Sequence, residues 1–503
     1  MNDITDLGAD ELAGAIRERR LSCREVMQAF LGRIDALNPA FNAIVSRRDS
    51  DQLLAEAGER DATLARHSER ATPRSFLFGL PQAIKDLSQT AGVATTLGSP
   101  LLKDNVPATD GLMVSRMKAA GCIVVGKTNT PEFGLGSHSF NEVFGATRNA
   151  FDLSRVAGGS SGGAAVALAT RMLPVADGSD YMGSLRNPAA WNNVFGFRPS
   201  HGRVPSLPAQ DVWISHYGTE GPMARSVRDL ALLLDVQAGR DARAPLSLAD
   251  EPSFADRLGD GDQAGDGKLR VGWLGDLDGH LPMEDGILDV CRSGLARLEQ
   301  AGCTVEPMAL GFSPDRIWTA WLAWRALVVG ARVAPFLARP GNRALIKPEA
   351  LWEHDQGAAL TGSQIMAASV TRTDVYQHLL TLFEQVDFLA LPTAQVWPFP
   401  VEARWPQQIA GRAMDTYHRW MEVVILPTFA GLPCISVPVG FNADGLPMGL
   451  QLIGRPRADL AVLRLARRYE QAAADVLGVR PPLPAAGAGA ASSRFPHRPA
   501  PTP

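Results

Sequence analysis

The segment from Gly158 to Ala189 constrains this chain more than any other part of it. It reads GGSSGGAAVALATRMLPVADGSDYMGSLRNPA, two glycine-flanked serine clusters joined by an apolar stretch. Glycine adopts backbone conformations that other residues avoid, so such turns can crowd N–H groups toward one reacting atom. The pattern predicts two separate tight turns that carry Ser160 and Ser184. Upstream, the lone lysine Lys85 follows an apolar run, where burial would favour its neutral form. Two serines and a lysine could supply a nucleophile, a relay and a base.

The alternation of short apolar runs with helical stretches predicts the fold class. Between residues 78 and 235 these runs are separated by Gly, Pro and Asn turns, which is typical of a sheet covered by helices. A second α/β portion, residues 269–478, has strand-like runs at 269–274, 387–393 and 434–440 and helical stretches at 284–301 and 315–385. We predict an α/β fold: a single large domain over residues 1–478, with a central twisted mixed β-sheet covered by helices on both faces.

The N-terminal region predicts a helical hairpin over residues 7–37. Its second helix begins at Ser22, with Glu25 three residues later as a capping box, and is expected to stop at Asn38–Pro39.

Two further segments are expected to lie outside the packed core. Residues 236–268 are polar and rich in Asp, Gly and Ala, which indicates a surface loop rather than a domain boundary. Residues 479–503 are rich in Pro and Ala and contain few large apolar residues, so we predict a disordered tail. The strand-like runs at 387–393 and 434–440 are each expected to end in a proline-containing turn.

Charge and cysteine content restrict the classes of function. The chain has 49 basic and 53 acidic residues, a net charge of −4, and no long basic block, which disfavours nucleic-acid binding. Five scattered cysteines without a C-x-x-C pair suggest neither disulfides nor a metal site. The N-terminus does not resemble a secretory signal, and no apolar run approaches the roughly 18 residues that span a bilayer. We expect a cytoplasmic protein with a small-molecule partner and no membrane association.

The string Gly121-Cys-Ile-Val-Val-Gly126-Lys127-Thr128 matches the phosphate-binding loop pattern G-x-x-x-x-G-K-[ST]. A phosphate loop follows a strand and precedes a helix, but here the residues inside the motif are themselves strand-like. Asn, Thr and Pro come next. The context therefore argues against nucleotide binding.

A second string, Gly159-Ser160-Ser161-Gly162-Gly163, contains the G-x-S-x-G nucleophile elbow with Ser161 as nucleophile. An elbow follows a strand directly, whereas the residues before this one look like a loop. Histidines for such a triad are present, so only the context disfavours this interpretation. Ser161 is instead interpreted as a turn residue.

Taken together, the motifs closely resemble the amidase signature family. Beyond the GGSSGG cluster, Ser184 and Lys85, the resemblance extends in order over most of the chain: GLPQAIKD, TTLGSP, GKTNTPEFGLG, NEVFGATRNAFD, GFRPSHGRVP, GPMARSVRDLALLLD and GLPCISVPVG to GLQLIG. The family resemblance implies hydrolysis of a carboxylic amide through a serine acyl-enzyme, with no metal or other cofactor. The sequence leaves the oligomeric state open, including a homodimer.

The resemblance implies that Ser184 is the nucleophile, Ser160 a bridging serine held by a cis peptide bond, and Lys85 the base. Because a solvated lysine is protonated at neutral pH, Lys85 must be buried and neutral, and Asp86 must point elsewhere. Further residues carry expected supporting roles: oxyanion-hole N–H groups of Tyr181, Met182, Gly183 and Ser184, bracing by Asp180 and Arg186, and substrate binding near Gly134 and Leu135.

The chain departs from the family pattern just before the nucleophile. Many members carry a small run such as Thr-Gly-Gly-Ser there, whereas this chain has Tyr181-Met182-Gly183-Ser184. The added bulk could narrow the choice of substrate. Two alternatives to a free-standing amidase remain: the amidase subunit of a glutamine-dependent tRNA amidotransferase, and a non-catalytic binding protein on the same fold.

Overall fold

The computed structural model describes residues 3–66, 75–215, 217–259 and 268–484. The strands are β1 (Ile44–Val45), β2 (Pro81–Lys85), β3 (Ile123–Thr128), β4 (Phe140–Asn141), β5 (Gly145–Ala146), β6 (Val175–Asp180), β7 (Phe195–Arg198), β8 (Thr219–Ala224), β9 (Arg270–Trp273), β10 (Thr304–Pro307), β11 (Phe388–Pro392), β12 (Gln408–Ile409), β13 (Arg412–Ala413), β14 (Cys434–Phe441) and β15 (Pro447–Gly454).

The helices are α1 (Ala9–Arg17), α2 (Cys23–Phe41), α3 (Ser50–Arg66), α4 (Leu112–Ala119), α5 (Gly162–Ala169), α6 (Arg186–Ala190), α7 (Val227–Gln237), α8 (Ile287–Gln300), α9 (Pro314–Leu337), α10 (Pro348–Ala358), α11 (Gly362–Gln385), α12 (Ile425–Ala430), α13 (Asp459–Ala472) and α14 (Ala474–Leu477).

The main sheet has eight strands in the order β10-β9-β11-β15-β14-β7-β8-β6. The β10–β9 and β9–β11 pairs are parallel and the others antiparallel, so the sheet is mixed, and helices flank it. Strands from residues 175–224 and from residues 270–454 belong to this one sheet, which confirms the predicted single α/β domain. Its central strands are buried along nearly their whole length, as continuous apolar runs such as PMGLQLIG require.

A second sheet, β1-β3-β2, packs against the edge of the first. Strand β2 pairs in parallel with β3 and contacts the edge strand β6 of the main sheet. Helix α5 packs on both β3 and β6. It is apolar on every side and wholly buried. The Gly158–Ala189 segment thus runs along the junction of the two sheets, with β2 beside it.

The expected end of helix α2 is corrected. The Ser22–Glu25 capping box forms, but α2 continues through Pro39 to Phe41. Proline there frees only the carbonyl of the exposed Asp35, which water can bond, while Ala40 and Phe41 gain burial. Helix α2 packs against α3, whereas α1 packs against α7.

The prolines expected in turns after two strands lie inside them instead. Pro392 is the last residue of β11, and Pro438 lies within β14 beside a register shift that accommodates its missing N–H. Most of the loop predicted at 236–268 has no helix or strand, and its residues 260–267 lie outside the described part of the chain. So do residues 485–503 of the predicted tail.

Candidate active site

Lys85 is the last residue of β2 and is completely buried. Its Nζ lies 2.8 Å from Ser160 Oγ, 2.7 Å from Ser161 Oγ and 3.0 Å from Ser179 Oγ, and 3.2 Å from the carbonyl oxygen of Ser179. A neutral amine has two N–H donors and one lone pair, so it can donate to two of these oxygens and accept a proton from a third. The contacts hold the nitrogen in one place between the two sheets.

Burial lowers the pKa of Lys85 to about 7, although the charges of Asp177, Asp180 and Glu220 oppose that change. The carboxylate of Asp177 accepts the backbone N–H of Lys85 at 3.1 Å. Asp86 faces away from Nζ: it accepts the backbone N–H of Thr96 at 2.9 Å and its hydroxyl at 2.5 Å. The fold therefore buries Lys85, which favours its neutral form, and directs Asp86 away from it, as expected.

The first serine turn is fastened by two serines that the sequence analysis did not identify. The hydroxyl of Ser137 donates to the Gly159 carbonyl at 2.6 Å and accepts its N–H at 3.1 Å. Ser139 bonds the carbonyl of Gly158 and the N–H of Gly162. The Gly159–Ser160 peptide is cis, as the resemblance implied. The sequence signal for these two residues was a pair of serines, two positions apart, directly after GKTNTPEFGLG.

The two predicted substrate-binding residues lie beside this turn. Gly134 has φ +72°, and a Cβ placed there would come 3.5 Å from Ser160 Oγ and 2.7 Å from a methyl of Leu87. A Cβ at this position would therefore overlap the Leu87 methyl group, while its distance from Ser160 Oγ is an ordinary van der Waals contact. Leu135 follows it and packs against Val329 and Val333 of α9.

The second turn, residues 180–185, is organised by Asp180. This buried carboxylate accepts the N–H groups of Gly183 at 2.9 Å and Leu185 at 3.2 Å. Gly183 has φ +79°, which glycine tolerates. Because its N–H already donates to Asp180, Gly183 fixes the shape of the turn, and we remove it from the expected oxyanion donors.

Two arginines neutralise Asp180. Arg186 makes two contacts with the carboxylate, at 2.9 and 3.0 Å, as expected of a bracing residue. Arg198, which the sequence analysis did not identify, lies 3.4 Å from it and donates to its backbone carbonyl at 2.5 Å. Burial alone would raise the pKa of Asp180, but the two guanidinium groups hold it well below its usual range.

Ser184 and Ser160 line the same cavity, which encloses about 750 Å³. Ser184 is 7% exposed, so its contact with the cavity is narrow. One wall is a face of α9 that includes Val329, Val333 and Phe336. The sequence predicted this helix but gave no reason to place it at the site. The signal was that, after Arg316, α9 contains only two charged residues, Arg325 and Arg332, and both line the cavity.

The bulky pair Tyr181-Met182 is accommodated by α9. Arg325 lies over the Tyr181 ring at 5.5 Å, and its guanidinium is 3.9 Å from the sulfur of Met182. Arg325 is itself buried and paired with Glu353 of α10, and the hydroxyl of Tyr417 lies 2.6 Å from each of these two side chains. Tyr181 and Met182, which depart from the family pattern, therefore contact α9 directly and are connected to α10 through Arg325.

Neither competing motif has the context it needs. Lys127 lies in strand β3, buried, and donates to the Ser88 carbonyl at 2.6 Å and to Thr90 Oγ1 at 2.7 Å rather than facing a phosphate loop. Ser161 follows a loop, not a strand, and begins α5. Its role as a mere turn residue is nonetheless corrected, because its hydroxyl contacts Lys85.

The described residues contain no metal-binding cluster and one helix with the length and composition of a membrane span. In these ranges, no group of three or more His, Cys, Asp or Glu side chains could hold a metal ion. Helix α9 is long and apolar enough to cross a membrane by length and composition, and 44% of its most apolar window is buried in the fold. Core helices of globular proteins pass the same test, so this is weak evidence for a membrane span.

Comparison with known proteins identifies the family of this chain. Residues 25–463 match the family model described as Amidase. The chain is 34% identical to an acylamidase of Rhodococcus erythropolis, over 92% of this chain and 95% of that protein. It is also 34% identical to a glutamyl-tRNA(Gln) amidotransferase subunit from Thermus thermophilus, over 93% of this chain and 97% of that protein. The crystal structure of a bacterial aryl acylamidase of the amidase signature family superimposes with a TM-score of 0.85 at 31% identity, over 94% and 99% of the two chains. This chain therefore belongs to the amidase signature family of amide-hydrolysing enzymes.

Proposed function

We propose that this protein hydrolyses a linear carboxylic amide with Ser184 as nucleophile, Ser160 as proton relay and Lys85 as base. One observation carries the proposal: the buried Nζ of Lys85 lies 2.8 Å from Ser160 Oγ, and Ser160 shares a cavity with Ser184. Burial lowers the pKa of Lys85 to about 7, so about half of the lysine is neutral at pH 7 and can accept a proton.

The reaction begins when Ser184 Oγ attacks the amide carbonyl carbon. The hydroxyl proton passes to Ser160 while Ser160 passes its own proton to Lys85. The tetrahedral intermediate collapses as the proton returns through Ser160 to the leaving nitrogen, so that ammonia or a neutral amine departs. Water then attacks the acyl-enzyme by the same relay and releases the carboxylic acid.

The N–H groups of Tyr181, Met182 and Ser184 are the proposed oxyanion donors. The Asp180 carboxylate accepts the N–H of Gly183 and so holds this turn in one conformation. The donors therefore need little rearrangement when charge develops on the carbonyl oxygen. One donor of this kind contributes roughly 3 kcal/mol of transition-state stabilisation.

The substrate proposed here has an apolar, modest-sized or aromatic acyl group. The α9 wall, with Val329, Val333 and Phe336, gives that group an apolar surface. Similarity to an acylamidase and to an aryl acylamidase structure supports the same class. A homodimer and a cytoplasmic location remain predictions. Size-exclusion chromatography with light scattering tests the homodimer.

A second candidate is the amidase subunit of a glutamine-dependent amidotransferase, because a relative of that description is equally identical to this chain. In that role the protein would release ammonia from glutamine and pass it to a tRNA-bound acceptor with partner subunits. The apolar wall of the cavity favours the acylamidase proposal over the polar side chain of glutamine. Measuring ammonia release from glutamine against amine release from aryl amides separates the two.

The deciding experiment compares Ser184→Ala with Ser115→Ala, a control at an exposed serine of α4 outside the cavity lining. Both are assayed for aryl amide hydrolysis and for labelling by a fluorophosphonate probe. We expect Ser184→Ala to lose turnover and labelling while the control keeps both. Turnover by a folded Ser184→Ala protein would refute the assignment, and a folded wild-type chain that neither labels nor turns over would support the non-catalytic alternative.

A further inference from the structure

Glu220 is a cavity residue for which the proposed mechanism has no use. It lies in β8 and is paired directly with Ser179 of β6, so the two side chains leave the sheet on the same face. The hydroxyl of Ser179 lies 3.0 Å from Lys85 Nζ. Glu220 is half-buried and lines the cavity that Ser160 and Ser184 share. The Ser179 side chain therefore lies between Lys85 and the Glu220 carboxyl group, which faces the cavity.

The partners of Glu220 are neutral. The Ser88 hydroxyl donates to its Oε1 at 2.8 Å, and the Ser206 hydroxyl also hydrogen-bonds the carboxyl group. Within the described ranges, no lysine, arginine or histidine nitrogen lies within 4.0 Å of it. Burial raises the pKa of Glu220 to about 7 against the opposing effect of Ser88, and the negative charge of Asp177 adds to the rise. The positive charge of protonated Lys85 opposes this rise, but within the described residues no cation forms an ion pair with Glu220, so an incoming cation would stabilise its carboxylate.

The position of Glu220 identifies the part of the substrate that it would meet. In the proposed mechanism Ser160 must reach the leaving nitrogen, so the amine leaves on the side of Ser160 and Lys85. Glu220 lies on that side, through Ser179. The apolar α9 surface packs instead against Tyr181, within the oxyanion turn, and against Leu135. The acyl group and the leaving amine thus face chemically different surfaces.

We propose that Glu220, supported by Ser88 and Ser206, is a specificity-determining residue that binds a protonated amino group carried by the leaving amine. The preferred substrates are then amides of an apolar acid with an aminoalkyl amine. This inference rests on the proposed function, because it uses Ser160 to orient the leaving group.

The test compares matched amides that share a benzoyl acyl group. One series has leaving amines that end in an ammonium group on a chain of two to four carbons, and the second has alkyl amines of equal length. A third amide ends in a carboxylate. Values of kcat/KM are measured from amine release above pH 8, where Glu220 is ionised. The variants are Glu220→Gln, Glu220→Asp and the control Glu402→Gln, which alters an exposed carboxylate outside the cavity lining.

We expect wild type and Glu402→Gln to prefer at least one ammonium-bearing amide over its alkyl match by about tenfold or more, the size expected of a charge-assisted contact. Glu220→Gln should reduce this preference to near parity, mainly through KM, and should improve hydrolysis of the carboxylate-bearing amide. Glu220→Asp should restore part of the preference. The kcat/KM for the alkyl amides should stay within about threefold, which a general loss of structure would not allow.

The inference is overturned if wild type shows no preference for the ammonium-bearing amides, or if that preference survives Glu220→Gln. Either result leaves the proposed function intact. Amide hydrolysis that survives Ser184→Ala overturns the proposed function instead. If wild type hydrolyses none of the amides, both are overturned.

Discussion

The pH dependence of activity tests the buried lysine most directly. Burial brings the pKa of Lys85 from 10.5 to about 7, a change that corresponds to about 5 kcal/mol of lost preference for the charged form. Below pH 7 the lysine is protonated and cannot accept the Ser160 proton. Activity should therefore rise with pH and level off above about 8, and kcat/KM for a neutral amide should show a rising limb near pH 7.

Substitution of Asp177 separates Lys85 from other titrating groups. Among the charges that raise the pKa of Lys85, Asp177 has the largest effect, and it also accepts the lysine backbone N–H. Asp177→Asn keeps an oxygen acceptor and removes the charge, so the pKa of Lys85 should fall further. We expect the rising limb to move to lower pH by about 0.5 to 1.

The assay is a series of initial rates between pH 5 and 10, with protein stability measured at each pH. Glu220, whose pKa is also about 7, needs its own control. In Glu220→Gln the limb should persist and move slightly lower, because a negative charge near Lys85 is lost. Three results would refute the reasoning. The first is a wild-type rising limb near pH 10, and the second is the loss of the limb in Glu220→Gln. The third is a shift of the limb to higher pH in Asp177→Asn.

Three further predictions concern the two turns. Ser161→Ala removes a 2.7 Å contact with Lys85 and should lower kcat about tenfold with little change in KM, which steady-state kinetics measures. Asp180→Asn leaves the buried guanidinium of Arg186 without its counter-ion and should lower the free energy of unfolding by about 3–5 kcal/mol. Denaturant titration measures this loss, and a variant as stable as wild type would contradict the prediction. Gly183→Ala places a Cβ 2.8 Å from a Val424 methyl at φ +79°, so turnover should fall at least tenfold while the protein stays folded; unchanged kcat would show that the turn is not rigid.

The sequence predicted the parts of the site that local chemistry encodes. Glycine spacing placed Ser160 and Ser184 in turns, and the strand-like residues around Lys127 argued against a phosphate loop. The capping box at Ser22 also formed as predicted. Each of these features depends on residues within a few positions of one another, and the backbone preferences of those residues act whatever the rest of the chain does.

Local pattern was less reliable where burial competes with propensity. Pro39 and Pro438 were expected at the ends of elements, but both lie inside them. In each case the missing N–H costs little, since it is at an exposed helical turn or beside a bulge, while the neighbouring apolar residues gain burial. Packing energy decided these boundaries.

By itself, the sequence determined the fold class, the family and the residues of the proposed relay. Only the tertiary structure decided what surrounds them: the contact of Ser161 with Lys85, the support of Arg198 for Asp180, and the approach of Arg325 to Met182, which is 143 residues away in the chain. Such contacts depend on which faces of distant elements meet, and hydrophobic burial fixes that for the whole domain at once. The carboxyl group of Glu220 became a candidate for substrate selection only when the pairing of β6 with β8 placed it beside Ser179, which contacts Lys85.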